Sequence, residues 1–430
     1  MEEAEEKVNT LSLIKEFSSP LTSVIFMMLG SGFFQTFITL FLDVNHYSRV
    51  EIGYIHSAYY LGMLVGAFRM ENFILKIGHI QTLSVFGSLA TSSVILQSLM
   101  SDFWTWVIFR FVFGLSLAAI YIVIESWLLD RSKLSNRGIV LSLYMMSLYS
   151  SQAFSQQFLN HIEINSYVPF LIAAFFTSIG VIPVSLSRTR ITLSEVTEKM
   201  SFSKILKISP FGVLGCLVSG VIISSVYGFF PLLAVSRGIP GGDLMFITIL
   251  GGMVLQWPMG KLSDYFERRK TLLGLVILAM SFMGASFFYK GDSQLIVLTI
   301  CLIIGGFSFT LYPLSITQVC DHLDQSQITT ATSLMLVAYG IGSVAGPITS
   351  SAVISQFGID SILLFFTLLL FIVSLIGIYT TIRRPIIPQE EQSAFVPLPR
   401  NTPIAYELDP RSEEPSGEEE GVIVEPDESS

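Results

Sequence analysis

An arginine and a glutamate lie inside one strongly apolar segment, residues 103–128. At the centre of a lipid bilayer an Arg costs roughly 2.5–3.5 kcal/mol on insertion scales, so Arg110 must face protein or water. At about 100° per helical residue, four side chains share one helix face: Arg110, Gly114, Tyr121 and Glu125. Arg110 and Glu125 are about 22 Å apart along such a helix, so each needs its own partner.

Each of these two charges allows a functional and a structural interpretation. Arg110 is an anchor for an anion or carboxylate, a group coupled to proton movement, or a clamp that donates to backbone carbonyls. Glu125 is a proton-carrying carboxylate, or it is a partner for basic residues in a gate at the membrane interface. We favour the gate because Glu125 lies within a turn of the predicted interface. The basic candidates are Arg69, Lys76 and Arg137.

Uncharged polar side chains recur at helical spacing on two other apolar segments. The first row is Ser31, Gln35, Thr39 and Asp43, and the second is Gln152, Gln156 and Asn160. Amides that face lipid leave donors unsatisfied at a cost of a few kcal/mol, so both rows are expected to face inward. They either line a cavity or form interhelical hydrogen bonds worth about 1 kcal/mol each. The candidates for lining a substrate cavity in this half of the chain are Gln35, Arg110, Tyr121, Gln152 and Gln156.

The second half of the chain adds aromatic and amide candidates for the same cavity. They are Tyr227, Gln256, Trp257, Tyr312 and Tyr339. Aromatic rings suit a sugar or an aromatic solute, although in membrane helices they more often serve packing. The five histidines form no H-x-x-x-H pair and the three cysteines are widely spaced. The sequence therefore predicts neither a metal site nor a disulfide framework.

The elements that position these residues are predicted to be membrane-spanning helices. The chain has 430 residues, of which 51% are hydrophobic and 13% charged, with a mean hydropathy of +0.65. This is too apolar for a soluble globule. Twelve stretches of about 20 mostly apolar residues follow one another between residues 21 and 382. The net charge of −9 argues against nucleic acid as the main partner. Because the amino terminus is acidic, we expect the first stretch to be a span and not a cleaved signal.

The positions of Lys and Arg predict that both termini are cytoplasmic, since positive residues are retained on that side. With the amino terminus inside, 20 of the 24 basic residues are cytoplasmic. The longest loop divides the spans six and six, which predicts two pseudo-symmetric bundles. The predicted units are a cytoplasmic N-terminal segment (1–20), an N-terminal six-helix bundle (21–187), a cytoplasmic linker (188–208), a C-terminal six-helix bundle (209–384) and a tail (385–430). The tail has 12 acidic and 2 basic residues, and we expect it to be disordered and cytoplasmic.

The segment GKLSDYFERRK, residues 260–270, follows the eighth apolar stretch. It resembles the G-x-x-x-D-x-x-x-R-R signature of the major facilitator superfamily, which lies between the second and third helices of each half. Gly260 allows close helix approach, and Asp264 can cap a helix and pair with Arg268 or Arg269. Such an ion pair is a lock that breaks and reforms as the two halves rock.

The corresponding segment of the first half, ENFILKIGH, departs from this signature. It keeps Lys76 and Gly78 but has Glu71 and Leu75 at the Gly and Asp positions. The first-half lock must therefore be built differently. The candidates for a cytoplasmic lock are Glu71, Lys76, Gly78, Glu125, Gly260, Asp264, Arg268 and Arg269.

Further segments make the chain similar to the YcaD-like branch of the superfamily. They read RFVFG, IESWLLD, NRG, QWPMGKLSD, LYPLSITQ and YGIGSVAGP. The resemblance covers about residues 20–384. It implies a major facilitator fold and a multi-pass secondary transporter of a bacterial inner membrane or plasma membrane, which works by alternating access without ATP hydrolysis. It implies no particular substrate.

The resulting hypothesis is a secondary active or facilitative transporter of a small solute, and not an enzyme. An enzyme would need clustered acids, histidines or a nucleophile triad at one depth, and the spans offer one deep Arg and one Glu near the interface. The alternatives are a transport-inactive sensor or scaffold and a proton-coupled exporter of drug-like or sugar-like compounds. We expect a monomer in the lipid bilayer that uses no cofactor besides a coupling proton or ion. The direction of transport and the coupling residue stay open.

Overall fold

The computed structural model describes residues 10–186, 200–291, 293–324, 327–383, 388 and 392–411. All regular structure in these residues is helical. The twelve long helices are α2 (Ser18–Val44), α3 (Arg49–Ile77), α4 (His79–Leu99), α5 (Phe103–Arg131), α6 (Arg137–Ser155), α7 (Val168–Ser185), α9 (Pro210–Ser236), α10 (Gly241–Tyr265), α11 (Arg268–Phe287), α12 (Gln294–Cys320), α13 (Ile328–Phe357) and α14 (Ser361–Arg383). The short elements are α1 (Thr10–Glu16), α8 (Phe202–Ile208) and two 3-10 turns, Gln156–His161 and Ile404–Leu408. Residues 1–9 of the predicted N-terminal segment, residues 188–199 of the predicted linker and residues 412–430 of the predicted tail lie outside the described residues.

Ten of these twelve long helices are long and apolar enough to cross a membrane. The other two are α3, which carries charged residues near both ends, and α6, which is rich in serine. Both are packed between neighbours: α3 lies against α5 and α13, and α6 lies against α2 and α10. The predicted all-helical fold with many apolar spans is therefore confirmed.

Local sequence determines where several of these helices begin and end. α3 begins at a capping box, in which the Ser48 hydroxyl accepts from the Glu51 amide at 3.2 Å and the Glu51 carboxylate accepts from the Ser48 amide at 2.8 Å. Asp102 caps α5 with a single bond, in which its carboxylate accepts from the Thr105 amide. Gly78 ends α3 and begins α4 with a φ of 91°, a conformation that favours glycine. The predicted lock residue Gly78 thus forms the turn between two helices.

The long helices form two groups of six that face one another. Within the first group α3 packs on α5 and α2 on α7, and within the second group α9 packs on α13 and α10 on α12. Between the groups, α3 lies against α13, α2 lies against α9, and α10 lies against α6 and the turn Gln156–His161. We call the end formed by this turn and by residues 241–243 the closed end. The opposite end, where residues 392–411 lie, is the tail end.

Small residues allow the closest helix pairs to approach. A Cβ atom added to Gly114 on α5 would lie 2.1 Å from the backbone oxygen of Tyr59 on α3, and one added to Gly62 would lie 2.1 Å from the backbone oxygen of Phe111. Because backbone cannot move aside as a flexible side chain can, neither position accepts a larger residue. Such small-residue contacts are typical of helix pairs in membranes.

We expect Gly114→Val to destabilise the protein strongly. The added side chain must push α5 away from α3, and overpacking of a well-packed core typically costs about 1–3 kcal/mol or more. The matched control is Gly274→Val on α11, where an added Cβ meets nothing within 4 Å. Thermal unfolding of the two purified variants in detergent checks this expectation. Equal melting temperatures would contradict the tight α3–α5 contact.

Candidate functional site

A cavity of ≈ 120 Å³ lies between the two groups of helices. Helices α2, α3, α5 and α6 line it from one side, α9 and α13 line it from the other, and residues 399–401 close it from the tail end. Six tyrosines contribute to its wall: Tyr59, Tyr60, Tyr121, Tyr149, Tyr227 and Tyr339. No Asp or Glu is among the lining residues in the part of the chain that the structure describes. The wall is therefore rich in tyrosine, with a few uncharged polar groups and one charged side chain, Arg400, among the described residues.

Arg110 is fully buried and, contrary to the prediction, is not itself among the lining residues; it lies behind the wall, against Gln35 and Tyr59, which do line the cavity. Its Nη2 atom donates to the Oε1 atom of Gln35, which lines the cavity. Its guanidinium carbon lies 4.8 Å from the centroid of the Tyr59 ring, at cation–π distance. Its Nε and Nη1 atoms have no hydrogen-bond partner among the described residues. Two predicted candidates, Arg110 and Gln35, are thus joined into one polar group with spare donors.

Glu125 is fully buried farther along α5, and its hydrogen bonds differ from the prediction. The hydroxyl of Tyr144 donates to its Oε1 atom at 2.5 Å, and the hydroxyl of Thr402 donates to its Oε2 atom. We expected a basic residue such as Arg137, but Glu125 forms no ion pair within the described ranges. The residue lies inward of the α5 terminus, where hydroxyls rather than surface cations are within reach.

The other predicted cavity residues fall into two classes. Tyr121, Gln152 and Tyr227 line the cavity. Gln156 does not, because its amide oxygen accepts from the hydroxyl of Thr36 at 2.7 Å and so joins the end of α6 to α2. The remaining two, Gln256 and Tyr312, are buried outside the lining.

The predicted lock residues of the second half form an ion-pair cluster at the tail end. Arg268 Nη2 lies 2.8 Å from Asp264 Oδ1, and Arg268 Nη1 lies 3.0 Å from Asp321 Oδ1. Arg269 points elsewhere, and its Nη1 atom donates to the backbone oxygen of Thr380 at 3.3 Å. Asp321 was not predicted, and the only signal for it is an acid directly after the end of α12. Burial raises the pKa of the Asp321 carboxyl, and Arg268 opposes that rise.

The first half has no matching ion pair in the described part of the chain. No ion pair is formed there by Glu71 or Lys76. This fits the departure of ENFILKIGH from the signature, because Leu75 stands where the Asp is needed.

The structure departs from the prediction of a disordered tail for residues 392–411. Most apolar side chains of this segment are buried, including Leu398, Ile404, Tyr406 and Leu408. The average composition of residues 385–430 does not predict this burial, because most of the acidic residues lie on either side of the segment FVPLPRNTPIAYELDP. An average over the tail therefore predicts disorder where a local apolar pattern does not.

The sequence model of the Major Facilitator Superfamily matches residues 21–347 and, in a second match, residues 241–406. The chain belongs to this superfamily. Its two groups of six helices, and the Asp264–Arg268 pair that joins the end of α10 to the start of α11, agree with the fold and the signature expected from the sequence.

Curated relatives within the superfamily cover most of the chain. The protein named uncharacterized MFS-type transporter YcaD from Shigella flexneri serotype 5b (strain 8401) is 28% identical over 344 residues, which are 78% of this chain and 88% of the relative. YcaD from Escherichia coli (strain K12 / DH10B) is 28% identical with the same coverage. The resemblance to the YcaD-like branch is confirmed.

Solved superfamily structures share the fold at low sequence identity. The nucleoside transporter NupG has a TM-score of 0.71 and 12% identity, over 86% of this chain and 100% of that chain. A bacterial homologue of the human lysosomal transporter Spinster, inward-facing and occupied, has a TM-score of 0.71 and 12% identity, over 89% and 98% of the two chains. At such identities the likeness shows the fold and does not identify a solute.

Sequence reasoning missed several residues of this superfamily member's cavity. Tyr59, Tyr60 and Tyr149 line it, although their types alone did not separate them from packing residues. Arg400 also lines it, from a segment that was assigned to the disordered tail. The signal available for Tyr59 was its place on one of the predicted spans, but the sequence did not show which face of that span points toward the cavity.

Proposed function

We propose that this chain is a transporter that moves a small solute across the membrane by alternating access. The observation that carries the proposal is the aromatic cavity between the two six-helix groups, with the Gln35–Arg110 pair at its edge. A site at the interface of two repeats is the arrangement in which rocking exposes one site to either side. The class is supported by the membership of the superfamily and by relatives named MFS-type transporter.

In this proposal all twelve long helices cross the membrane and both termini are cytoplasmic. α3 and α6 cross it although their sequences are less apolar, because each is covered by neighbouring helices. The distribution of Lys and Arg supports the same orientation, with the tail end inside the cell. We assign the chain to a bacterial inner membrane as a monomer.

The closed end is then the extracellular gate of this conformation. The side-chain amide of Asn160 donates to Asp243 Oδ1 at 2.7 Å across the two groups. An added Cβ on Gly242 would lie 2.4 Å from the backbone oxygen of Gln156, so the two segments touch directly. The protein is proposed to be inward-facing, with its substrate route open toward residues 392–411.

The chemistry of the cavity favours a solute with a flat ring and a hydrogen-bond acceptor. Tyrosine rings offer faces for stacking, and Gln152 and Ser343 on the wall offer uncharged polar contacts. The unpartnered donors of Arg110 suit a carboxylate or a carbonyl oxygen. Because no acid among the described residues lines the cavity, a coupling proton would need a group outside the wall, such as Glu125, and a facilitative mechanism needs none.

Uptake into proteoliposomes tests this function. Radiolabelled sugars, nucleosides and aromatic carboxylates are offered with and without a pH gradient, and Gln35→Ala is the comparison variant. We expect at least one solute to enter faster than into empty liposomes, and its uptake to fall in Gln35→Ala. Absence of movement for every solute, with an unchanged Gln35→Ala response, would favour the sensor or scaffold alternative.

A disulfide across the closed end tests the mechanism. In a variant without the three native cysteines, Asn160→Cys with Asp243→Cys places two thiols where a hydrogen bond now joins α10 to the turn Gln156–His161. Oxidation should stop uptake, since the gate can no longer open, and reduction should restore it. Each single cysteine variant is the control. Unchanged uptake with a fully formed disulfide would contradict alternating access through this gate.

A further inference from the structure

Residues 393–411 lie between the two six-helix groups at the tail end, and they make contact with both. The segment begins at the lock of the second group. Arg268 Nη2 donates to the backbone oxygen of Ser393 at 2.6 Å, and the amide of Ser393 donates to Asp321 Oδ1 at 3.2 Å. The start of residues 393–411 is therefore held by Arg268 and Asp321 of the ion-pair cluster itself.

The ring of Phe395 lies directly on Gly260. A Cβ added to Gly260 would be 2.2 Å from Phe395 Cδ1, so the ring occupies the space that the glycine leaves open. The amide of Phe395 donates to Asp264 Oδ1 at 2.9 Å. Gly260 and Asp264 thus bind this segment in addition to their place in the lock.

Arg400 reaches the aromatic wall of the cavity. Its guanidinium carbon lies 4.6 Å from the centroid of the Phe309 ring and 5.9 Å from that of Tyr339 in the second group. In the first group its Nη2 atom donates to the hydroxyl of Tyr149 at 2.7 Å. One side chain therefore bridges the two groups at the cavity itself.

Most of the described residues after Arg400 are buried between the two six-helix groups. Thr402 donates to Glu125 on α5, and the hydroxyls of Tyr406 and Tyr312 share a hydrogen bond on the side of α12. The amide of Asn401 donates to the hydroxyl of Tyr144 at 3.1 Å. These contacts fill the space between the two six-helix groups at the tail end. In alternating access the two six-helix groups must approach one another at this end before the closed end opens, so the segment must leave first.

The segment and a solute compete for the same space. With Pro399, Arg400 and Asn401 in its wall, the cavity keeps ≈ 120 Å³. Small-molecule sites have about 300–1,000 Å³. A solute of ordinary size needs the segment to leave, and a segment tethered to α14 has an effective concentration on the order of millimolar.

We propose that residues 393–411 are an intramolecular inhibitor, which occupies the substrate route from the tail end and holds the two groups apart. Its effect on transport rests on the proposed function, whereas its docking does not. The protein in this conformation is held with its own carboxyl-terminal segment in place of a solute, and transport begins when the segment leaves.

Thiol labelling of the detergent-solubilised protein measures docking without any solute. A single cysteine, Ser343→Cys, is placed on the cavity wall in a background without native cysteines, and a sulfonated maleimide is added. Three chains are compared: the full chain, a chain that ends at residue 391 and a chain that ends at Arg411. We expect labelling at least tenfold faster in the chain that ends at residue 391, and slow labelling in the other two. Ser101→Cys, in the exposed loop before α5, should label equally in all three.

A point variant keeps the test valid if the short chain folds poorly. Phe395→Asp in the full chain places a carboxylate on Gly260 beside Asp264, so repulsion should release the segment and speed the labelling of Ser343→Cys as the deletion does. Equal labelling rates in the full chain, in both shortened chains and in Phe395→Asp would overturn the proposal.

Uptake then separates the inhibitor from the proposed function. With a solute found in the uptake screen, the chain that ends at residue 391 should transport at least threefold faster than the full chain. If labelling is faster in the chain that ends at residue 391 but uptake of that solute is slower or unchanged, the segment is not an inhibitor. Released labelling in a protein that moves no solute at all would contradict the proposed function and leave docking supported.

Discussion

Replacing Arg110 with Leu should abolish transport and leave the protein as stable as before, or more stable. The guanidinium is fully buried with one side-chain hydrogen bond, to Gln35, and two nitrogen atoms without a partner in the described residues. A buried charge costs several kcal/mol in desolvation, and a single hydrogen bond to an uncharged amide offsets only part of that cost, so an apolar side chain at this position removes an unfavourable contribution. The unpartnered nitrogen atoms of Arg110 are therefore useful to the protein only when a bound solute accepts hydrogen bonds from them. We expect uptake to fall at least 100-fold and the melting temperature not to fall.

The matched control lies on the same helix. Arg131→Leu removes a guanidinium that lies over the Trp127 ring at the end of α5, outside the cavity, and should leave uptake within about twofold. Arg110→Lys keeps the charge but loses the planar set of guanidinium donors, so this variant should transport poorly as well. A clamp role for Arg110 would give the opposite pattern, with a lower melting temperature in Arg110→Leu and uptake that scales with the amount of folded protein.

The pairing of Arg110 with Gln35 shows how far sequence reasoning reaches for this fold. Apolar length and the expense of intramembrane charge predicted that both residues face inward, and helical spacing placed them on α5 and α2. Their mutual contact joins residues 75 positions apart and depends on the packing of α2 against α5, which periodicity does not specify. The Asp264–Arg268 pair was easier to predict, because the two residues are only four positions apart in one short segment of the chain.

Glu125 and the tail could not be predicted for a related reason. The partners expected for Glu125 were basic residues close in the topology, whereas the observed hydroxyl of Thr402 comes from a position 277 residues later. Tail composition also misled, since net charge averages over acidic flanks and the apolar segment between them. A pattern search at the scale of ten residues would have separated Leu398, Ile404 and Leu408 from those flanks.

Docking of residues 393–411 should be about tenfold stronger at pH 6 than at pH 8. Burial raises the pKa of the Glu407 carboxyl to about 7, and the negative charge of Glu71 adds to this, while Arg137 opposes it. In the released segment the same carboxyl has its ordinary pKa near 4.5. Docking therefore takes up a proton between these values. Docking is strongest below about pH 4.5, where Glu407 is protonated in both the docked and the released segment. Docking weakens as the pH rises, and above about pH 7 it carries the full cost of burying the ionised carboxylate.

The labelling rate of Ser343→Cys in the full chain measures this dependence, divided at each pH by the rate of Ser101→Cys to remove the titration of the thiol itself. The ratio should rise about tenfold from pH 6 to pH 8, which corresponds to about 1.4 kcal/mol of docking free energy. Glu407→Gln carries no titrating group at this position, so its ratio should stay low and flat across the range. Glu71→Gln should shift the midpoint to lower pH, because it removes the neighbouring negative charge that disfavours ionised Glu407. A dependence that survives in Glu407→Gln would assign the proton to another group and contradict the role of this carboxyl.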